Sequence, residues 1–107
     1  MDKLGMTKAL AELEGIEYAV IGGMLMCWGV LGSLEYNPFT DSHLNRKLIL
    51  KYKVNVIKYH HSVTIVKDNG GFGLKCTRAT YNTDDDLPYA VVECILKANG
   101  LWITNNK

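Results

Sequence analysis

Tyr36-Asn37-Pro38-Phe39-Thr40-Asp41 limits the conformation of this chain more than any other stretch. Pro38 disfavours helical backbone at Asn37 and pushes that residue towards an extended conformation. Thr40 and Asp41 both carry side-chain oxygens that cap helices, and the charge of Asp41 suits the positive end of a helix dipole. The hexapeptide therefore predicts a fixed corner, with a strand before it and a helix after it. It follows the most apolar part of the sequence and precedes a basic helical pattern, so a mixed α and β fold is expected.

Downstream of the corner, Ser42 to Tyr52 predicts a helix. Leu44, Leu48 and Ile49 form its apolar stripe, Tyr52 extends it, and Arg46, Lys47, Lys51 and Lys53 fall largely off it. Val54 to Val66 is rich in β-branched and aromatic residues, and the register breaks at Tyr59-His60-His61, which predicts two strands. Asp68-Asn69-Gly70-Gly71 reads as a hairpin turn, with a return strand from Phe72 to Ala79 that puts Phe72, Leu74 and Cys76 on one face. The last helix starts after Thr83-Asp84-Asp85-Asp86, with Pro88 in its first turn and Gly100 as its stop. Its stripe is Leu87, Val91, Ile95 and Ala98, with Val92 and Leu96 beside it, and Leu101, Trp102 and Ile103 form an apolar tail expected to dock on the domain or on another subunit.

Upstream, Thr7 to Glu14 predicts a short amphipathic helix capped by Thr7 and stopped by Gly15, with Leu10, Leu13 and Met6 on its apolar side. Two strands are expected over 16–21 and 24–35, separated by a Gly22-Gly23 turn. Alternation in the second puts Met24, Met26, Trp28 and Val30 on one face and Leu25, Cys27 and Leu31 on the other. Both faces are apolar, which predicts a central strand covered on both sides.

At 107 residues the chain is expected to be a single domain, 1–107. Its net charge is only +1, but Ser42 to Thr80 holds eight basic residues against the single acid Asp68, while the flanks are acidic. Such asymmetry marks either an anionic partner or a solvated face balanced by acidic ends of the same domain. Cys27, Cys76 and Cys94 lack metal-finger spacing and read as free buried thiols in a reducing cytoplasm. A secretory leader is not expected, because Glu12, Glu14 and Glu17 interrupt any apolar region after Lys3 and Lys8. The uncharged run Tyr18 to Leu34 is short of the ~20 residues of a membrane span and carries four glycines, so no membrane partner is expected.

The corner, the helix ending near Lys51-Tyr52, the hairpin after it and the acid-started helix from Asp84 to Ala98 together resemble the phage ABA sandwich domain, a family of small phage and prophage accessory proteins. Those proteins carry a Trp- or Tyr-Asn/Ser-Pro-x-Thr-Asp corner, a helix, a strand pair and a final helix. The likeness covers about residues 35–100, with Tyr36 where Trp is common, and the apolar segment of the first third has no counterpart. The resemblance implies phage origin, a location in the cytoplasm of the infected host, and a small helix–sheet–helix sandwich. With the element pattern, the expected class is α+β with a mainly antiparallel sheet of three to five strands. The family supplies no catalytic residue and no shared ligand.

Candidate chemistry is sparse. His60 and His61 are adjacent on a strand pattern, so their side chains point to opposite faces and do not easily share one ion. Asp84-Asp85-Asp86 lacks calcium-loop spacing and suits a helix start. Asn69-Gly70-Gly71-Phe72-Gly73 lacks the Lys-Ser/Thr of a P-loop. No metal site, catalytic set or cofactor is expected. The basic middle is the binding feature: Arg46, Lys47, Lys51 and Arg78 supply charge, and Tyr59 and His60 supply stacking or polar contacts. The leading expectation is a non-enzymatic accessory protein that binds and blocks or sequesters a host component in counter-defence. Its partner would be a host defence protein or an anionic signalling nucleotide. A nucleic-acid-binding regulator and a nucleotide-processing enzyme are the alternatives. Surplus apolar surface on Met24–Val30 and Leu101–Ile103 predicts a homo-oligomer.

Overall fold

The computed structural model describes residues 2–29, 32–68, 71 and 73–102. The expected α+β class with three-stranded antiparallel sheet is present: three helices accompany two such sheets. Helix α1 spans Lys3–Leu13, α2 Ser42–Lys51 and α3 Leu87–Ala98. Sheet A holds β1 (Tyr18–Ile21), β2 (Met24–Gly29) and β3 (Gly32–Glu35) in chain order. Sheet B holds β4 (Asn55–Ile57), β5 (Ser62–Asp68) and β6 (Leu74–Thr80), also in chain order.

Helix α3 is the centre. Ala90, Val91, Val92, Cys94, Ile95 and Leu96 are all fully buried, a wider apolar girth than the one stripe expected. A helix apolar on most sides needs cover on most sides. Sheet B covers one flank through β5 and β6, and α1 and α2 cover others. Helix α1 in turn lies against β2, so α1 and α3 stand in series between the two sheets.

Helix α1 begins four residues earlier than the expected Thr7 cap. Asp2 is the cap: its Oδ1 accepts from Gly5 N–H at 2.7 Å. Thr7 is buried inside the helix, its hydroxyl donating to the Lys3 carbonyl at 2.7 Å. The earlier start puts Met6 at the core beside Leu10. Beyond the helix, Gly15 N–H bonds the Glu12 carbonyl and Ile16 N–H the Ala11 carbonyl, the paired bonds of a Schellman stop.

The single strand expected over 24–35 is two strands. Met26 pairs with Glu35 and Gly29 with Gly32, so β3 folds back along β2. Glycines at both ends of a short connection suit a tight hairpin, a signal that the apolar run masked. Gly22 and Gly23 both have positive φ (+61° and +80°), the geometry of the tightest primed hairpin turn, and they join Ile21 to its partner Met24. Strand β2 is central in its sheet but is covered on one face only. Leu25 and Tyr36 enter the core, whereas Trp28 on the other face is exposed.

Sheet B follows the expected pattern more closely. The break at Tyr59-His60-His61 is a 3-10 turn, Lys58–His60, ended by His61 in the left-handed region. The register Asp68↔Leu74 closes the β5–β6 hairpin, although its expected turn residues Asn69 and Gly70, and Phe72, lie outside the described residues, as do Val30, Leu31 and Ile103. Val63, Ile65 and Ala79 face α3. Leu74, Cys76 and Val66 share the opposite face and are exposed, which corrects the expectation that all three thiols are buried.

The corner works as the local chemistry dictates. Asn37 Oδ1 accepts from Phe39 N–H (3.0 Å) and Thr40 N–H (3.3 Å), and Asp41, not Thr40, caps α2 through Leu44 N–H at 3.1 Å. Buried Asn45 then reaches back, donating Nδ2 to the Pro38 carbonyl (3.0 Å) and to the Pro88 carbonyl (3.4 Å) at the start of α3. One amide thus ties the corner to two helices. Asn45→Ala removes the side-chain donor from the buried Pro38 carbonyl and the second contact to Pro88, and is expected to cost about 1–3 kcal/mol in urea unfolding. A loss below ~0.5 kcal/mol, the range of neutral surface changes, contradicts this role.

Candidate functional site

The six residues expected to form a binding surface fall into two groups. Arg46 and Lys47 are exposed on α2, and Lys51 closes that helix. Arg78 pairs with Thr64 on the face of sheet B turned away from α3. Tyr59, 98% exposed, and His60 lie on the 3-10 turn at the end of the same sheet. Helix α2 packs on α3, and α3 packs on the inner face of sheet B, so the two groups look out from different layers. Lys51 is moreover engaged: its Nζ lies 2.6 Å from Glu14 Oε2 and over the Tyr52 ring.

Glu14 is a tie that no local pattern announced. As a helix-end carboxylate it reads as solvent-facing, yet its side chain is only 14% exposed. Its Oε2 accepts from Lys51 Nζ and from the Tyr52 hydroxyl, joining the ends of α1 and α2. The Tyr36 hydroxyl is buried nearby with no hydrogen-bond partner among the described residues. Burial, then the Glu14 charge, then Cys27 push the Tyr36 phenol well above its usual range. Burial, the hydrogen bond to Glu14 and the charges of Glu14 and Tyr36 do the same for Tyr52. The Tyr52 hydroxyl is therefore committed to the tie between α1 and α2.

The outer face of sheet A is a different kind of feature. Alternation places Ala19, Ile21, Met24, Met26 and Trp28 on it, in cross-strand pairs Ala19–Met26 and Ile21–Met24. Trp28 is 62% exposed, Ile21 59% and Met24 46%. Charge on this face is confined to its margins, at Glu35 on β3 and at Glu17 just before β1. Exposed aromatic and thioether surface on this scale, on the order of 300 Å², is the size of the largest apolar patch on a typical monomer, which often serves an interaction. The alternation itself was legible in the sequence; which face stays uncovered was not.

Two cavities open near the start of α1. A smaller one, about 150 Å³, lies between α1 and the corner and is lined by Leu4, Thr7, Tyr36 and Phe39. A larger one, about 440 Å³, is lined by Lys3, Thr80, Tyr81, Asn82, Asp86 and Tyr89. Lys3 borders both, with Nζ 5.5 Å from the centre of the Phe39 ring. Among the described residues no cluster of His, Cys, Asp or Glu is arranged to hold a metal ion, and no helix is long and apolar enough to cross a membrane. No family model, curated protein or solved structure matches the chain significantly.

The buried Tyr36 phenol and the half-buried Tyr52 phenol give the protein an alkaline limit. The folded chain holds protons on Tyr36 and Tyr52 that the unfolded chain releases near pH 10. Their stabilisation is therefore complete below pH ~10 and is lost as pH rises above it. Cys94, pushed up to about 11 by burial, adds a loss that begins near pH 9. Urea unfolding at stepped pH from 8 upward should show stability falling above pH ~10, and Tyr36→Phe should flatten that fall. Identical slopes in the two proteins contradict a buried Tyr36 phenol.

Proposed function

We propose that this chain is a non-enzymatic binding protein that covers a surface of a partner protein, with the outer face of sheet A as the covering surface. The observation that carries the reading is the exposure of Trp28 together with Ile21 and Met24 on one face of sheet A. Tryptophan dominates binding energy where interfaces are well packed, and methionine adapts to irregular apolar surfaces. The apolar centre of the face selects a partner that is also apolar where it meets Ile21, Met24 and Trp28, with the carboxylates of Glu17 and Glu35 at the margin. The resemblance to phage accessory proteins makes that partner a host component. The resulting function is counter-defence, by binding and blocking a host defence protein.

Sequestration of an anionic nucleotide and binding of nucleic acid both depend on clustered cations, and they draw less support. Arg46 and Lys47 stand on a different layer from Arg78, and Glu14 holds Lys51.

Tagged protein recovered from infected host cells tests the reading by comparison of variants. A host protein captured by the wild type should be lost from Trp28→Asp and from Met24→Asp. It should be retained by the double variant Arg46→Glu, Lys47→Glu. The reverse pattern moves the binding surface to α2 and overturns the proposal. A second copy of the chain is the competing occupant of this face. Concentration-dependent dimers in sedimentation that Trp28→Asp abolishes, with no host protein captured, would replace the proposed partner with the chain itself.

A further inference from the structure

The larger cavity lies away from the outer face of sheet A and carries a separate inference. Its walls come from the start of α1, the end of β6 and the start of α3. Its volume, about 440 Å³, falls within the range of small-molecule sites. Two of its walls are aromatic. Tyr81 is 6% exposed, stands 5.5 Å from the His61 ring, and its hydroxyl finds no hydrogen-bond partner among the described residues. Tyr89 stands 5.9 Å from Phe39.

The charges in the wall are uncommitted. Lys3 rests over the Phe39 ring and, among the described residues, forms no ion pair. Asp86 occupies the N-cap position of α3, but its carboxylate makes no capping bond; among the described residues it accepts only a long contact from the Thr83 hydroxyl at 3.4 Å. Lys3 and Asp86 line one cavity without pairing with each other. A cation and an anion that line one cavity beside two tyrosines, without pairing with each other, match a small molecule that carries both charges. The lining holds one cation and one anion, which disfavours a polyphosphate.

We propose that this cavity binds a free amino acid with an aromatic side chain. Its carboxylate would meet Lys3, its ammonium would meet Asp86, its ring would pack on Tyr81 and Tyr89, and Asn82 would supply amide hydrogen bonds. Each charged contact is a charge-assisted hydrogen bond, so neither charge of the ligand is dispensable.

NMR titration of the purified chain with L-phenylalanine, L-tyrosine and L-tryptophan tests this. Saturable shifts centred on Tyr81, Asn82 and Tyr89 are expected, with the Trp28 signals unmoved. Phenethylamine, which lacks the carboxylate, and 3-phenylpropionate, which lacks the ammonium, should each bind the wild type about tenfold more weakly or worse. Lys3→Met and Asp86→Asn should weaken L-phenylalanine to a similar degree. Absence of saturable shifts with all three amino acids up to about 10 mM overturns the proposal. So does binding of either single-charge analogue within about threefold of the parent amino acid. The analogue series needs no variant, so a folding defect in either variant leaves the test intact, and it is independent of any protein partner on sheet A.

Discussion

The burial of α3 governs the rest of the fold. Val91, Val92, Ile95 and Leu96 are each fully enclosed, at about 1.5–3 kcal/mol per side chain removed from water. Sheet B alone covers only one flank of such a helix. The remaining apolar girth recruits α1 and α2, and α1 is then the element on which sheet A rests. Cys94 adds directional detail, its thiol set against the Val63 and Thr77 carbonyls of sheet B. Sheet A is thus bound to the domain at one remove, and Ile21, Met24 and Trp28 on its outer face stay exposed.

Polar ties fix how these layers meet. Asn45 joins the corner to the starts of α2 and α3, and Glu14 joins the ends of α1 and α2. Lys67 does the same for sheet B, donating to the Ala98 carbonyl and Asn99 Oδ1 at the negative end of α3. These ties use charge that a linear count assigns to the surface. Lys51 and Lys67 belong to the basic middle of the sequence, yet both serve the fold. The remaining cations are spread over more than one layer, so the asymmetry along the chain does not become one continuous basic face.

How much was legible follows from the range of each interaction. The Asp41 cap, the break at Tyr59-His60-His61, the Gly22-Gly23 turn and the entry of α3 at Pro88 are set by neighbours within a few residues, and they stand where the sequence places them. The β2–β3 hairpin was hidden because an unbroken apolar run outweighed its glycines. Glu14, paired with residues 37 and 38 positions away, leaves no local trace. The larger cavity likewise needs Lys3, Tyr81 and Asp86 brought together from distant positions. Alternation told which side chains share a face of sheet A, but only the position of α1 decides which face is covered.

The central claim is that Ile21, Met24 and Trp28 are retained for contact with a partner and not for the stability of this domain. Urea unfolding of Trp28→Thr addresses it directly. Threonine keeps a good strand former at the site and removes the exposed indole. The account predicts an unfolding free energy within about 1 kcal/mol of the wild type, the scale of a cross-strand pair on an open sheet face. A loss of about 3 kcal/mol or more, the scale of a truncated core aromatic, would show that Trp28 is part of the core and would contradict the account.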